Sequence, residues 1–547
     1  MLPLLPIIQA LTTSTPTINW FPCPQNASTP TITCGTLQVP LDYTSPTSPN
    51  NTLTLQLVKI NATTQPSQGS IIFDFGGPGN INVDNFAGDN GEALLLGLGI
   101  TIPYSCYHSD VERQAAAAAT PQALNASDTA LGAVWAASGA LAELCYENAG
   151  EVGRLVGTVA VARDIMQIVD ALGEDGLLRY YGTFYPCFSY GTTLGANVAA
   201  MFPDRMDKLL FDGVVNPTEY WAGPTYQAIL DTDATLSAFF AGCIESPELC
   251  PLAQISDSAI ELEHRLASLL GALKYSPLVL GPNNPDNIVT YAAVKAAIVG
   301  ALYFPSTWSS LSYQLFALLT ANATAYATAP APPDPFPPSL FPDLSGPEVL
   351  DGIACADRAL RSENLTDLLP VLARFEDESW IRGDGDVAIA TLHCARWKLA
   401  SAERFTGDFE DVRTKHPVLI VGNTIDPATP LAGARNLSEG FKGSVLLENN
   451  GVGHTTIASP SLCVAKYIRA YFVNGTLPAV GTVCESVTST QAFDFDGSYL
   501  GALASLGNDT KRSVGSYEVE KGDVALFNAV GAVGKKFTES KMRLRGR

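Results

Sequence analysis

A chain of 547 residues, 46% hydrophobic, is long enough for several domains or for one enlarged domain with a large insertion. Its 54 acidic against 32 basic residues give a net charge of −22, which disfavours nucleic acid and anionic membranes as partners. After the N-terminus no apolar run reaches the ~18 residues of a membrane span, and the composition excludes fibrous, collagen-like and wholly disordered classes.

The first seventeen residues read as a signal or N-terminal segment: Leu2 to Leu11 is a short apolar run, and Ala10 could precede a cleavage, although no basic residue stands before the run. Leu53 to Ile60 alternates as a half-buried strand does, and Ser70 to Phe75 is a short apolar strand leading into Gly76-Gly77-Pro78-Gly79. Thr158 to Gly173 is expected to be a helix, with Thr158 as N-cap, Ile165, Ile168, Val169 and Leu172 as its apolar stripe, and Gly173 as its stop. A strand at Leu177 to Tyr181, a turn and a second helix from Thr192 follow. Further buried strands are expected at Lys208 to Val215, Pro417 to Val421 and Ser444 to Glu448. Strands alternating with helices predict an α/β fold with a mostly parallel sheet.

Between about Asn216 and Ala402 helical patterns replace the strand rhythm, interrupted by the proline-rich stretch Ala329 to Pro347. This predicts a mainly helical domain, residues 216–405, inserted between the two parts of one core, 18–215 and 406–486. A weakly patterned C-terminal extension, 487–547, ends in the basic stretch Lys535 to Arg547.

The chemistry lies at the expected strand ends. Cys187-Phe188-Ser189-Tyr190-Gly191 sits between a strand and a helix, where a sharp turn exposes a serine hydroxyl. Such a nucleophile elbow needs small residues two before and two after the serine; Gly191 qualifies and Cys187 only approximates. Ser-x-Gly alone is common, so the argument needs a base and an acid to orient it. Asp426 follows the Pro417–Val421 strand, and His454 follows the next strand, 454 − 426 = 28 residues on. The order Ser189, Asp426, His454 is that of α/β hydrolases. The other histidines are His108, His264, His393 and His416; His264 lies in a charged helical stretch and His416 precedes a strand, both structural settings. Gly77 in the Gly-Gly-Pro-Gly turn and Tyr190 after the serine are the expected backbone N–H donors of an oxyanion hole, because Pro78 has no N–H to give.

Sequons at Asn26, Asn50, Asn61, Asn125, Asn322, Asn364, Asn436, Asn474 and Asn508 predict a secreted glycoprotein. The 11 cysteines form no Cys-x-x-Cys and no histidine pair has helical metal spacing, so no metal or other cofactor is expected and the cysteines read as disulfides.

Several motifs occur together and in order. They are Cys34-Gly-Thr-Leu-Gln-Val-Pro-Leu-Asp-Tyr43, the Gly-Gly-Pro-Gly loop, Ala162-Arg163-Asp164 with Ala171-Leu172-Gly173-Glu174-Asp175, and Phe188-Ser-Tyr-Gly-Thr192. Ala200-Met-Phe-Pro-Asp-Arg205, Leu210-Phe-Asp-Gly-Val-Val215, Gly422-Asn-Thr-Ile-Asp-Pro427 and Pro460-Ser-Leu-Cys463 follow. Over residues 18 to 486 the chain closely resembles the secreted tripeptidyl-aminopeptidase-like serine hydrolases, relatives of prolyl iminopeptidase. The resemblance implies an α/β-hydrolase fold whose helical insertion is a cap, and a serine exopeptidase acting on peptides with free N-termini. Ser189 would be nucleophile, His454 general base and Asp426 its orienting acid. A free α-ammonium group calls for a carboxylate, and Glu219, Asp231 and Asp233 are candidates on position alone, although solvated helix charges would read the same way. A monomer is expected.

The chain departs from this family twice. Relatives carry an apolar strand ending in Asp-x-Arg-Gly-x-Gly between the Gly-Gly-Pro-Gly loop and the Ser-x-Cys region; here Leu94 to Ile102 runs straight into Pro103-Tyr-Ser-Cys106. Either Leu94–Ile102 substitutes for that strand or the chain lacks a segment its relatives keep. The second departure is at the elbow. Ten cysteines fall into sequence-local pairs, Cys23–Cys34, Cys106–Cys145, Cys243–Cys250, Cys355–Cys394 and Cys463–Cys484, leaving Cys187 over. Relatives read Tyr-Gly-Phe-Ser where this chain reads Tyr181-Gly182, then Thr183 to Cys187, then Phe188-Ser189; residues 183–187 read as an insertion. Three functions therefore compete: an exopeptidase, a secreted ester hydrolase with the same triad, and a catalytically impaired protein on a hydrolase fold.

Overall fold

The structure, a computed structural model, describes residues 16–23, 32–45, 51–62, 65–74, 76–79, 101–182, 190–280, 288–329 and 348–486. In the C-terminal extension it describes residue 493 and the short antiparallel pair Arg512–Val514 and Tyr517–Val519. The Leu2–Leu11 run, most of Leu94–Ile102, Ser189 and residues 183–187 lie outside the described residues.

Strands β1 (Asn19–Pro22), β2 (Ile32–Pro40) and β3 (Thr52–Ile60) form an antiparallel sheet, stapled by the Cys23–Cys34 disulfide. Leu37, Val39 and Leu55 turn one of its faces onto Ile168, Ala171 and Leu172 of the Thr158–Leu172 helix. The second sheet contains β4 (Ile72–Asp74), β5 (Leu178–Gly182), β6 (Met206–Asp212), β9 (Leu419–Ile425), β10 (Val445–Val452) and β11 (Val483–Glu485). Its order is β11-β10-β9-β6-β5-β4 and every neighbouring pair is parallel. Strands covered on both faces need apolar residues throughout rather than at alternate positions; accordingly six of the seven residues of β6, and the first five of β9, are buried. Strands β7 (Leu278–Val279) and β8 (Ile288–Val289) form a separate short hairpin.

Several sequence expectations shift at their boundaries. The Pro417–Val421 strand runs instead to Ile425, and the Ser444–Glu448 strand continues to Val452. Both extensions contain asparagines, which have poor strand propensity, but Asn423 and Asn449 are fully buried and bonded to each other (Nδ2 of Asn449 to Oδ1 of Asn423, 2.8 Å). The helix expected from Thr192 begins at Tyr190, directly after position 189, and the Lys208–Val215 strand lies two to three residues earlier, at Met206–Asp212. Thr158 is the first residue of its helix and not the N-cap, which is Gly157. Its side chain is engaged elsewhere: Asp357, 199 residues on, accepts from the Thr158 N–H at 3.1 Å and from its hydroxyl at 2.5 Å. A distant carboxylate thus does the capping that a local side chain normally does. Gly173 ends the helix in the left-handed region, φ 66°.

Between the adjacent strands β6 and β9 the chain makes a long helical excursion. Helices Thr232–Glu245, Ala259–Leu273, Tyr291–Leu302 and Trp308–Leu319 enclose a core of their own that includes Phe239, Phe240, Leu266, Ile298 and Trp308. Disulfides Cys243–Cys250 and Cys355–Cys394 brace this region, Cys106–Cys145 anchors the Ala130–Gly153 helix, and Cys463–Cys484 ties the Leu462–Asn474 helix to β11. Among the described residues, β4 is an edge strand and no strand joins it to the β1–β3 sheet. Thr101 and Ile102, the described end of Leu94–Ile102, are bends, and the Thr101 hydroxyl accepts from the Gln56 N–H at 3.3 Å. No helix among the described residues is long and apolar enough to cross a membrane.

Candidate active site

The C-terminal ends of parallel strands are where α/β sheets present their chemistry, because the connecting loops there are free to vary. Asp426 is the residue after β9, and His454 is the second residue after β10. Both side chains are completely buried. His454 Nδ1 lies 2.9 Å from each oxygen of the Asp426 carboxylate; a carboxylate only accepts, so the tautomer that fits bears its hydrogen on Nδ1 and hydrogen-bonds the acid through it. The carboxylate is oriented by four further donors. Oδ1 accepts from the N–H groups of Ala428 (2.9 Å) and Thr429 (2.8 Å), and Oδ2 from the Thr429 hydroxyl (2.9 Å) and the Thr455 N–H (3.0 Å). The Thr429 hydroxyl also stands 3.0 Å from His454 Nδ1.

The loop that carries the imidazole is fixed as firmly. Asn423 Nδ2 donates to the carbonyls of Gly453 and Thr455, both at 2.7 Å. Thr455 has φ 64°, a conformation costly for a β-branched residue at ~1–3 kcal/mol, and it directs that residue's N–H onto Asp426. Asp212, the last residue of β6, accepts from the N–H (3.1 Å) and hydroxyl (2.5 Å) of Thr456. Burial pushes the Asp212 carboxyl up to about 6, with the Thr456 bonds acting against that rise. Gly213 follows it at φ 73°, and a Cβ there would stand 2.5 Å from Thr455 Cγ2 and 3.4 Å from the imidazole, so only glycine fits beside the histidine.

Of the residues expected at the oxyanion, Gly77 is buried in a turn in which Gly76, Gly77 and Gly79 all have positive φ (83°, 134° and 85°), open to glycine and poor for other residues. The Gly76 N–H is donated to Asp74 Oδ1 at 2.6 Å. Tyr190 opens its helix, with its phenol oxygen 2.6 Å from the Thr158 hydroxyl. Ser189 lies outside the described residues, but both its flanks are described. Gly182 and Gly191 are in contact: a Cβ on Gly182 would meet the Gly191 carbonyl oxygen at 2.5 Å. The Tyr180 hydroxyl donates to that same oxygen at 2.7 Å.

The three carboxylates considered for a substrate amine separate in space. Asp233 accepts from the Ser379 hydroxyl (2.6 Å) and from the N–H groups of Trp380 (3.0 Å) and Ile381 (3.4 Å), fixing a turn. Glu219 accepts from the Gln227 N–H at 2.9 Å, and burial raises its carboxyl. Asp231 adjoins the acid loop, accepting from the Asp426 N–H at 3.3 Å; burial is the main cause pushing it up to about 6, and the nearby Asp426 adds to the rise. Among the remaining histidines His108, His264 and His416 are exposed, and His393 pairs with Asp351 at 2.9 Å. No group of three or more His, Cys, Asp or Glu among the described residues is placed to hold a metal ion.

Thr429, Thr455, Asp212 and Asn423 had no role in the sequence reading. Thr429 had a local signal, an acid followed three residues later by threonine, which is the spacing of a side chain that bonds the backbone ahead of it. Asp212 stood within a motif already noted, but nothing in its neighbourhood pointed 244 residues ahead to Thr456.

Residues 384–484, which include Asp426 and His454, match the alpha/beta-hydrolase family described as TAP-like protein. The chain is 26% identical over 532 residues to the serine protease Hip1 of Mycobacterium tuberculosis, covering 85% of this chain and 91% of that protein. It is likewise 26% identical over 496 residues to the tripeptidyl aminopeptidase of Streptomyces lividans, covering 85% and 86%. A carboxylesterase B of Mycobacterium tuberculosis is 25% identical over 494 residues, covering 83% and 86%. The parallel sheet, the TAP-like region at residues 384–484 that supplies its last strands and the similarity along most of the chain identify an alpha/beta-hydrolase fold and support a serine hydrolase.

Proposed function

We propose that this protein is a secreted serine exopeptidase that hydrolyses peptide bonds near free N-termini, as the name of its tripeptidyl aminopeptidase relative suggests. The observation that carries the reading is the buried Asp426–His454 pair at the ends of neighbouring parallel strands, with His454 Nδ1 committed to the acid. Proton exchange with the nucleophile then falls to Nε2. Ser189 attacks the scissile carbonyl while His454 takes its proton, and Asp426 stabilises the imidazolium that forms. The N–H groups of Gly77 and Tyr190 hold the oxyanion. His454 returns the proton to the departing amine, and water repeats the cycle on the acyl-enzyme.

In this reading residues 216–405 are the cap over the site, between core segments 18–215 and 406–486, with a signal segment at 1–17 and an extension at 487–547. Asp231 is the amine-anchor candidate nearest the triad, since it adjoins the Asp426 loop. The disulfides and the sequons support an extracellular location; Asn61, Asn125, Asn322, Asn364, Asn436 and Asn474 are all exposed, and Asn26, Asn50 and Asn508 lie outside the described residues. Replacing Ser189 by Ala should lower turnover by several orders of magnitude while the protein stays folded, because triad members act as a unit. An alanine variant that keeps a tenth of the wild-type rate would sink the assignment.

The carboxylesterase relative supports a second reading, an ester hydrolase with the same triad. A tripeptidyl anilide compared with a short acyl ester separates the two. Failure of a fluorophosphonate probe to label the protein would instead indicate an impaired hydrolase.

A further inference from the structure

The sheet holds Asp426 and His454 from one side. From the other, the helical excursion meets both, and one buried cation, Arg382, joins the contacts made by Tyr303 and Pro427. Arg382 is 1% exposed, and all three guanidinium nitrogens donate hydrogen bonds. Nε and Nη2 donate to the two oxygens of Asp386 at 2.9 and 2.7 Å, Nη2 also donates to the Tyr303 hydroxyl at 3.0 Å, and Nη1 donates to the Pro427 carbonyl at 2.8 Å. Pro427 directly follows Asp426, and its carbonyl also accepts from the Thr232 hydroxyl at 3.0 Å. Tyr303 is the other arm. Its backbone carbonyl accepts the His454 N–H at 2.8 Å, and its ring stands edge-on to the imidazole, centroids 5.2 Å apart at 80°. The turn preceding Arg382 is itself fixed by Asp233, and the Ser379 hydroxyl of that turn accepts the Arg382 N–H at 3.1 Å.

We propose that Arg382 is a positioning residue for the Asp426–His454 pair, setting the acid loop through Pro427 and the imidazole through Tyr303. The helical excursion is then part of the frame of the catalytic pair as well as its cover. The chemistry favours arginine at this point: a planar fork with five donors at fixed angles can hold a carboxylate, a phenol and a carbonyl together, whereas a lysine ammonium offers three donors from one atom. Asp386 balances the buried charge, so the guanidinium can be spent on geometry.

This inference rests on the hydrolase reading above, and its test separates the two. The full-length protein is compared with Arg382→Lys, Arg382→Met and Tyr303→Phe, the last removing only the hydroxyl that Arg382 meets. Two properties are read: kcat and KM per probe-titrated site, and the low-field proton resonance of His454 Nδ1–H. That resonance is assigned by its loss in His454→Gln, and the His393–Asp351 pair in the same spectrum serves as reference. Displacement of the pair by about 1 Å should cost kcat ~100-fold in Arg382→Met, with KM within about twofold. The His454 resonance should shift or broaden while that of His393 stays. Arg382→Lys should recover part of kcat, and folded Tyr303→Phe should move the His454 resonance in the same direction. If folded Tyr303→Phe and either Arg382 variant leave both kcat and the resonance as in wild type, the proposal fails, and Tyr303→Phe alone decides it should the Arg382 variants not fold. A wild-type protein that never acylates refutes the active-enzyme reading in favour of an impaired hydrolase, and the resonance still decides the positioning role.

Discussion

Deleting residues 183–187 should turn a weak enzyme into a fast one. A nucleophile elbow brings the residue two before the serine against the residue two after it, which is why both must be small. In this chain the residue two before Ser189 is Cys187, yet the glycine found against Gly191 is Gly182. The contact is close enough that a Cβ on Gly182 would sit 2.5 Å from the Gly191 carbonyl oxygen and 2.8 Å from both its carbon and Tyr180 Cε1. Tyr180 fastens the same oxygen at 2.7 Å, so the carbonyl has little room to withdraw. Removing Thr183 to Cys187 rejoins Gly182 to Phe188 and makes the two touching glycines the flanks of Phe-Ser-Tyr. It also removes the eleventh cysteine, while the other ten are already paired. Five residues can span up to roughly 17 Å, and a nucleophile misplaced by about 1 Å already loses ~100-fold. The deletion variant should therefore exceed the full chain by at least ~100-fold in kcat/KM on a tripeptidyl anilide. Gly182→Ala in the deletion background should abolish the gain, since backbone on one side and a packed ring on the other leave the methyl no space. Equal activity of the two proteins, or a dead but folded deletion variant, would refute the reasoning.

Other expectations can be checked as directly. Acetylating the substrate amine should sharply reduce kcat/KM, and equal rates on blocked and free peptides would favour an endopeptidase or esterase. Asp212 and Asp357 are fully buried and both are pushed up to about 6 by burial, so the folded state favours their protonated forms. Their contribution is complete below the unfolded value of about 4 and is lost as pH rises through about 6. The melting temperature should accordingly climb from about pH 7.5 to about pH 5, and a fall over that window would contradict the assignment. Replacing Cys355 and Cys394 together by Ala opens a loop of 39 residues, which by chain entropy costs ~4 kcal/mol and should lower the melting temperature. An unchanged melting temperature would mean that the packing around Cys355 and Cys394 holds the two helices without the bond.

The parallel sheet was legible because its strands are runs of apolar residues between turn residues, and Ser189, Asp426 and His454 stand out as candidates because each lies just beyond such a run. Those signals are local, and local chemistry determines them: periodicity, glycine at a stop, a polar residue at the end of a strand. The true lengths of β9 and β10 were not legible, because Asn423 and Asn449 read as strand breakers until each is seen to bond the other. Thr158 reads as a cap from its neighbours alone, and only folding brings Asp357 to take over that work. Asp233 and Asp231 are two residues apart and indistinguishable in sequence, yet one fixes the turn before Arg382 and the other meets the Asp426 backbone. Arg382 has a local partner in Asp386, four residues on, but the partners that tie it to the catalytic pair, Tyr303 and Pro427, lie 79 and 45 residues away on either side. A side chain's identity sets which bonds it can make. Which bonds it does make depends on chain segments that only tertiary packing brings within 3 Å, and the orientation of the Asp426–His454 pair was decided there.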